Sequence, residues 1–379
     1  MHRAYLDHAS SSPLRPAALE AMLPFLRGNP ADPGRVHSDG RITRVAIEEA
    51  REAVAALLGA RPREVVFTAT GTEAVNTAVY GAVARRADRD ARRHVVTTAV
   101  EHSSVLESCQ RADVELTIVG VDGEGRFDAD EVLAACRPDT VLVNVQLANH
   151  EVGTVQSAVS AIGADAPDGV LVHVDACAAV GHLPVDFGAL GADLCSVTAH
   201  KLGGPKGAAA LLVRRGVSLP PFVVGGAQER ARRAGIEDVP AIVGFGAAAA
   251  ELDPGRLDDE AATARRQTKR LVADALAVDG VHQLGDPDGR LPHLVCLAVD
   301  GVEAEPVLLG LDQRGVAVHS GSSCSSEALE PSPVLAAMGV DADRSLRPSV
   351  GWSTTDADVA AFGAAFPEVV GKLRALRGG

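Results

Sequence analysis

The chain has 379 residues, of which 46% are apolar and 23% charged, and its formal net charge is −14. This length predicts more than one domain, and the acidic balance disfavours a nucleic-acid surface. The N-terminal MHRAYLDHASSSP lacks the apolar core of a signal peptide, and no apolar stretch is long enough to span a bilayer. The six cysteines form no CxxC pair, so we expect a cytoplasmic protein without a metal site and without a membrane partner.

The first half of the chain alternates between helical and strand patterns. A helix is predicted over 44–60, because Ile47, Ala50, Val54 and Leu57–Leu58 form one apolar stripe that ends near Gly59. A strand over 64–68 and a helix from about Thr72 follow. Another helix is predicted after Asp128, which has Glu131 three residues on, as in a capping box. Further strands are predicted at 94–99, 114–119, 140–145, 170–175, 194–199 and 208–213.

Strands separated by helices predict an α/β protein whose mostly parallel sheet is covered by helices on both faces. The pattern changes near residue 251, where ELDPGRLDDE is polar. A charged helix over about 258–278, the run LVCLAV, a helix over 303–314, a short strand VAV and a terminal helix follow. We therefore predict a large domain over 15–250 and a smaller α+β domain formed by 1–14 and 251–379.

Polar side chains stand where several predicted strands end. The turn FTATGTEA leads into a helix at Thr72, whose N-terminal N–H groups suit a phosphate. His102 follows the next strand, Asp175 ends another, and Thr198, His200 and Lys201 end a fourth. In a parallel sheet these strand ends share one edge, where ligands bind. A lysine, a carboxylate, an imidazole and a phosphate cradle together fit pyridoxal phosphate, which the lysine binds as a Schiff base.

One cysteine lies in an unusual context. Cys324 sits in HSGSSCSS, over 319–326, among serine and glycine rather than apolar residues. Such a stretch is a poor helix or strand and predicts a solvent-reachable loop over about 319–330. In contrast, Cys195 and Cys296 lie in apolar runs and are predicted to be core residues.

The chain resembles the cysteine desulfurases of the class V aminotransferase group, in the NifS/IscS-like branch of fold type I. The resemblance runs nearly from end to end and rests on motifs that occur in the family's order: YLDHASSSP, PREVVFTATGTEAVN, EHSSVL, NHEVGTVQ, HVDACAAVGHLPVDF, HKLGGPKG, GGAQERARRAG, SGSSCSSEALEPS and LRPSVGWSTT. It implies the fold of pyridoxal-phosphate-dependent transferases of fold type I, with a seven-stranded sheet in the large domain.

The resemblance also implies the roles of individual residues. Lys201 carries the cofactor and moves protons, and His102 stacks on the cofactor ring and helps proton transfer as a further catalytic residue. Asp175 pairs with the pyridine nitrogen. Cys324 is the nucleophile that takes the substrate sulfur as a persulfide. The remaining residues bind the cofactor phosphate (Gly71, Thr72, Thr198 and His200) or orient the substrate carboxylate (Asn149 and Arg347). Asn149 is also expected to contact the cofactor.

The implied reaction is the conversion of L-cysteine to L-alanine, with the sulfur passed from Cys324 to an acceptor protein by a homodimeric enzyme. The acceptor stays open among iron–sulfur assembly, tRNA or DNA thiolation and metabolite sulfuration. One alternative is a C–S or selenocysteine lyase, or another class V aminotransferase-like enzyme, in which Cys324 is dispensable. A second alternative is a non-catalytic sulfur-transfer scaffold.

Three positions depart from the family pattern. His150 stands where the family has asparagine, Ala178 where it has a glutamine that donates to the cofactor's phenolic oxygen, and Ile236 where it has a threonine that reaches the phosphate across the dimer. Alanine and isoleucine cannot replace those hydrogen bonds, each worth about 1–3 kcal/mol if the partner is left unpaired. These departures predict either reduced activity or a specialised branch.

Overall fold

The computed structural model describes residues 3–85, 93–320 and 332–377. Its strands are short runs rich in valine, leucine and threonine. In chain order they are β1 (Ala4–Tyr5), β2 (Val65–Thr68), β3 (His94–Thr98), β4 (Glu115–Val119), β5 (Thr140–Gln146), β6 (Leu171–Asp175), β7 (Leu194–Thr198), β8 (Ala209–Val213), β9 (Val281–Leu284), β10 (Cys296–Val299), β11 (Val316–Ala317) and β12 (Ser345–Leu346).

The central sheet has seven strands in the order β2-β8-β7-β6-β5-β3-β4. β8 runs antiparallel to both β2 and β7, and the other neighbouring pairs are parallel. The predicted seven-stranded, mostly parallel sheet is thus confirmed. Every strand of this sheet except β8 runs in the same direction, so these six strands end along one edge. Most of the predicted site residues lie at the ends of these strands or just after them.

Helices cover the sheet and extend beyond it. They are α1 (Pro16–Arg27), α2 (Ser38–Leu57), α3 (Gly71–Ala84), α4 (Ser103–Arg111), α5 (Ala129–Ala134), α6 (Val159–Asp165), α7 (Gln228–Ala231), α8 (Val239–Ala250), α9 (Pro254–Leu276), α10 (Ala304–Asp312), α11 (Pro333–Ala337) and α12 (Asp356–Arg377). Within the described ranges, none of them is both long and apolar enough to cross a bilayer.

Local sequence explains several helix ends. The side chain of Asp128 accepts hydrogen bonds from Asp130 N and Glu131 N, which confirms the predicted cap of α5. Asp253 caps α9 in the same way, with Pro254 as the first helical residue. α2 ends at Leu57, two residues before Gly59, whose φ of +58° favours glycine.

Two smaller sheets lie outside the central one. β1 pairs in parallel with β11, and β10 lies between β9 and β12 in an antiparallel sheet. A separate apolar cluster joins this part of the chain and includes Leu6, Leu271, Leu311, Phe362 and Phe366. The pairing of residues 4–5 with 316–317 agrees with an N-terminal segment that belongs to the later half. The division at residues 14 and 250 stays a prediction.

Candidate active site

A cavity of about 340 Å³ lies at the carboxyl edge of the central sheet. The segments that follow β2, β3, β5, β6 and β7 contribute to its wall, together with the N-terminal segment and a residue just after β12. The lining residues are Ala9, Ser10, Thr70, Gly71, Thr72, Val75, His102, Ser104, His150, Asp175, Cys177, Thr198, His200, Lys201 and Arg347.

The N-terminus of α3 forms one end of this cavity. Thr70 caps the helix, since its hydroxyl accepts from Glu73 N at 3.0 Å. A Cβ on Gly71 would lie 2.9 Å from Cys177 Sγ, so glycine is needed for the close approach of this turn to β6. Backbone N–H groups at such a helix start attract anions. This geometry suits the phosphate predicted for Gly71 and Thr72.

The segment after β7 brings a hydroxyl, an imidazole and an ammonium group to the same wall. Thr198 Oγ1 and His200 Nδ1 lie 2.7 Å apart in a hydrogen bond. Burial, reinforced by the positive charges of Lys201 and Lys206, lowers the pKa of His200 to about 4. His200 is therefore neutral at pH 7, and its ring can serve as a hydrogen-bonding group without adding charge.

Asp175 ends β6 and faces the cavity. Its Oδ1 accepts from Cys177 N at 2.9 Å, which fixes the carboxylate. Burial, followed by the charge of Asp175, raises the pKa of the Cys177 thiol well above its ordinary value. Because the thiolate is the nucleophilic form, this environment disfavours Cys177 as a sulfur acceptor.

A row of buried polar side chains crosses the sheet beside Asp175: Glu101, Asn144, His173 and Ser196. Asn144 Nδ2 donates to Glu101 Oε2 at 3.2 Å and Asn144 Oδ1 contacts His173 Nδ1, while His173 Nε2 lies 2.7 Å from Ser196 Oγ. Burial raises the pKa of Glu101 to about 8 and lowers that of His173 to about 4. Both are thus mainly neutral at pH 7, so Asp175 has no charged neighbour in this row.

His102 follows β3 and caps α4. Its Nδ1 accepts from Ser104 N at 3.1 Å and lies 2.9 Å from Ser104 Oγ. A backbone N–H can only donate, so the neutral ring carries its proton on Nε2. The imidazole of His150 lies close by, with ring centroids 5.2 Å apart.

The turn after β5 places His150, rather than Asn149, on the cavity wall. The Oδ1 of Asn149 accepts from Glu151 N and Val152 N at 2.8 Å each, and its Nδ2 donates to Val100 O at 3.1 Å. The amide of Asn149 therefore holds the turn together. Its predicted contact with cofactor or substrate stays a prediction.

Arg347 reaches the cavity from the residue after β12. Its guanidinium donates to His150 O at 2.8 Å, to Ser10 Oγ at 2.7 Å and to Asp7 Oδ1 at 3.4 Å. Its Nε is buried with no hydrogen-bond partner among the described residues. A buried guanidinium beside a cavity fits an anionic ligand, because an unmet buried donor is costly.

The structure thus gathers eight of the predicted site residues around one cavity: Gly71, Thr72, His102, Asp175, Thr198, His200, Lys201 and Arg347. Their predicted chemical roles stay predictions, and Cys324 with its serine-rich segment lies outside the described residues. Sequence reasoning assigned no role to Ser10 or Ser104, although both lie in motifs that carried the resemblance. It noted His150 only as a departure. As predicted, Cys195 and Cys296 are fully buried.

Comparison with known proteins identifies related chains. The aminotransferase class-V family model matches residues 4–362. The chain is 39% identical over 377 residues to cysteine desulfurase IscS of Methanosarcina thermophila, covering 98% of this chain and 92% of that protein. It is 40% identical over 385 residues to a cysteine desulfurase of Cereibacter sphaeroides, covering 99% and 98%. A solved structure described as a NifS-like protein matches with a TM-score of 0.90 and 31% identity, over 98% of this chain and all of that one.

Proposed function

This chain belongs to the aminotransferase class-V family, and we propose that within it the protein is an L-cysteine desulfurase. It converts L-cysteine to L-alanine and transfers the sulfur. The observation that carries the proposal is the single cavity that holds Lys201, Asp175, His102 and Arg347 beside the N-terminus of α3. Relatives described as cysteine desulfurases, matched over 98% or more of this chain, support the same conclusion.

The residues around the cavity fit pyridoxal phosphate. The start of α3, Thr198 and His200 would hold the phosphate, Asp175 would face the pyridine nitrogen, and Lys201 would bind the aldehyde carbon. The ring of His102 would lie on the cofactor face. When bound, the cofactor supplies an electron sink that weakens bonds next to the substrate amino group. The fixed carboxylate of Asp175 would keep the pyridine nitrogen of the bound cofactor protonated.

Substrate binding would rest on Arg347, since a planar guanidinium pairs with a carboxylate by two parallel hydrogen bonds. Lys201 is placed to move protons at the substrate, and His102 has a defined Nε2–H to donate. Cys324 is proposed to take the substrate sulfur and keep it as a persulfide. Its serine-rich sequence supports this role, and so does the raised thiol pKa of Cys177, the cysteine that lines the cavity.

The proposal is tested by measuring alanine and sulfide release from L-cysteine under reducing conditions. Lys201→Ala should abolish both products and the visible absorbance of the lysine-bound cofactor. Lys206→Ala is the matched control, because Lys206 lies on the same segment but does not line the cavity. Retention of a borohydride-reducible cofactor adduct in Lys201→Ala would refute the assignment.

Cys324→Ser separates a desulfurase from a lyase. The variant should still bind the cofactor, which does not need the thiol, but lose alanine release by orders of magnitude, because a hydroxyl is a poor nucleophile toward sulfur. Mass spectrometry after brief exposure to cysteine should place the added sulfur on Cys324 in the native protein. Undiminished alanine release by the variant, or sulfur on Cys177, would favour the lyase.

We further propose a homodimer that passes sulfur to an acceptor protein. Large apolar side chains are exposed on α2 and on the segment before α8, including Ile42, Val45, Val224 and Ile236. Covering such side chains is what a subunit interface does. Light scattering at micromolar concentration should give twice the 39.0 kDa chain mass. A fully active monomer would contradict the dimer. The cytoplasmic location stays a prediction from cysteine usage.

A further inference from the structure

His150 is a second imidazole in the cavity of the proposed desulfurase. Its side chain is 9% exposed, and its ring centroid lies 5.2 Å from that of His102. The backbone of His150 is held from two sides, because Asn149 closes the turn and Arg347 donates to His150 O at 2.8 Å. The backbone that carries this ring is therefore a fixed part of the wall.

The carboxylate of Glu151 lies between His150 and the helix α11. Its Oε1 is 3.5 Å from His150 Nε2. Its Oε2 accepts a hydrogen bond from the hydroxyl of Ser332, the residue that caps α11. Only 2% of Glu151 is exposed. A buried carboxylate with one oxygen toward an imidazole and the other held by a hydroxyl has little freedom to turn away.

We propose that His150 is a second proton acceptor of this site and that Glu151 is its positioning residue. As Cys324 takes the substrate sulfur, the thiol proton of the substrate passes to the neutral imidazole, which becomes an imidazolium. The S–H and C–S bonds break, an S–S bond forms at Cys324, and the electron pair of the C–S bond stays with the carbon skeleton that becomes alanine. The carboxylate of Glu151 balances the new positive charge, as in other carboxylate–imidazole pairs. This inference rests on the proposed function, which places a thiol in the cavity.

Other charged and titratable groups also face His150. Glu101 and His102 come from the segment after β3, and Arg347 follows β12. Asp175, His200 and Lys201 line the same cavity. Cys296 on β10 lies near Glu151, whose charge contributes to the raised pKa of that thiol. Glu151 Oε1 lies 3.5 Å from His150 Nε2, so removing this carboxylate should act on His150 directly.

The test is the pH profile of alanine release by holoenzyme between about pH 5.5 and pH 9, the range in which imidazoles titrate. In Glu151→Gln the imidazolium loses its balancing charge and the pKa of His150 falls. The rising limb of the profile should therefore move to lower pH by about one unit. His150→Asn should keep the cofactor absorbance, lose that limb, and release alanine about tenfold more slowly at neutral pH, because Lys201 can still move protons in the cavity.

A double variant separates positioning from a general effect. In the His150→Asn background, Glu151→Gln should cause no further movement of the profile. Glu115→Gln, on the exposed edge strand β4, is the control and should match the native protein. If Glu151→Gln fails to fold, Glu151→Asp can replace it. Aspartate keeps the negative charge but places it farther from the His150 ring, so the pH profile should move in the same direction by a smaller amount.

An NMR titration of labelled histidines gives a readout that does not depend on activity. The signal that disappears in His150→Asn should titrate at lower pH in Glu151→Gln. An unmoved signal, or a profile that moves equally with and without His150, would overturn this inference. Loss of alanine release by the native holoenzyme would instead overturn the proposed function.

Discussion

Replacing Glu101 with glutamine should change how stability depends on pH. Glu101 is 1% exposed, and burial raises its pKa to about 8 from an ordinary 4.5. Between these two values the folded chain holds a proton that the unfolded chain releases. Stability must therefore fall as pH rises through this window and level off above about pH 8. Glutamine, which resembles the protonated acid, removes this titration.

The magnitude follows from the difference between the two pKa values. At 1.36 kcal/mol for each pKa unit, the shift from 4.5 to about 8 corresponds to about 4–5 kcal/mol over the whole window. Within the pH range between these two pKa values, the free energy of unfolding of the native chain should fall, relative to that of Glu101→Gln, by about 1.4 kcal/mol per pH unit. Thr98 Oγ1 at 2.6 Å and Gln146 N at 3.0 Å donate to Oε1, an acceptor that glutamine keeps.

The assay is urea denaturation of the cofactor-free chain at several pH values between about pH 5 and pH 8. Glu107→Gln is the control, because Glu107 is an exposed carboxylate on α4 and its loss should leave the slope unchanged. Parallel pH dependences for the native chain and Glu101→Gln would refute the reasoning. They would mean that Glu101 is ionised in the folded state and that a neighbouring positive charge compensates it.

Three further substitutions test the frame of the site. Glu229→Gln should cost about 3–5 kcal/mol in urea denaturation, because it leaves Arg51, whose side chain is 2% exposed, without its buried partner; a loss below 1 kcal/mol would contradict this. Ala231→Gly should increase the free energy of unfolding by up to about 1 kcal/mol and so raise the melting temperature slightly, because Ala231 has a φ of +62°, which favours glycine. A lower melting temperature would show that the alanine is not strained. Gly71→Ala should weaken pyridoxal phosphate binding in an absorbance titration, because its Cβ would lie 2.9 Å from Cys177 Sγ, and adding Cys177→Ala should restore it.

Much of the fold could be predicted because burial leaves a direct pattern in the sequence. The runs at 140–145 and 170–175 are mostly apolar, and the strands β5 and β6 fall on them within one residue. The orientation of β8 could not be predicted, because a buried strand has the same composition in either direction. β9 was missed, since VHQL has only two apolar residues and is half exposed.

The site was predictable where chemistry coincides with a strand end. Asp175 ends β6 and Lys201 follows β7, so the parallel pairing of these strands brings both residues to one edge. The row of polar side chains beside Glu101 was not predictable, because Asn144, which donates to Glu101, and His173, which contacts Asn144, lie inside strands. Their contact depends on the register between β5 and β6, which pairs these two residues.

The departures at Ala178 and Ile236 leave the frame of the phosphate cradle in place. Ala178 lies in the main apolar cluster and is not among the residues that line the cavity. Ile236 is 68% exposed, so its side chain does not support the start of α3 within one chain. That support comes from Glu73, whose carboxylate accepts from Ala69 N at 2.9 Å and from Arg233 Nε at 2.8 Å. Because Arg233 lies just before Ile236, this segment stays tied to the cradle by an ion pair, whatever residue follows.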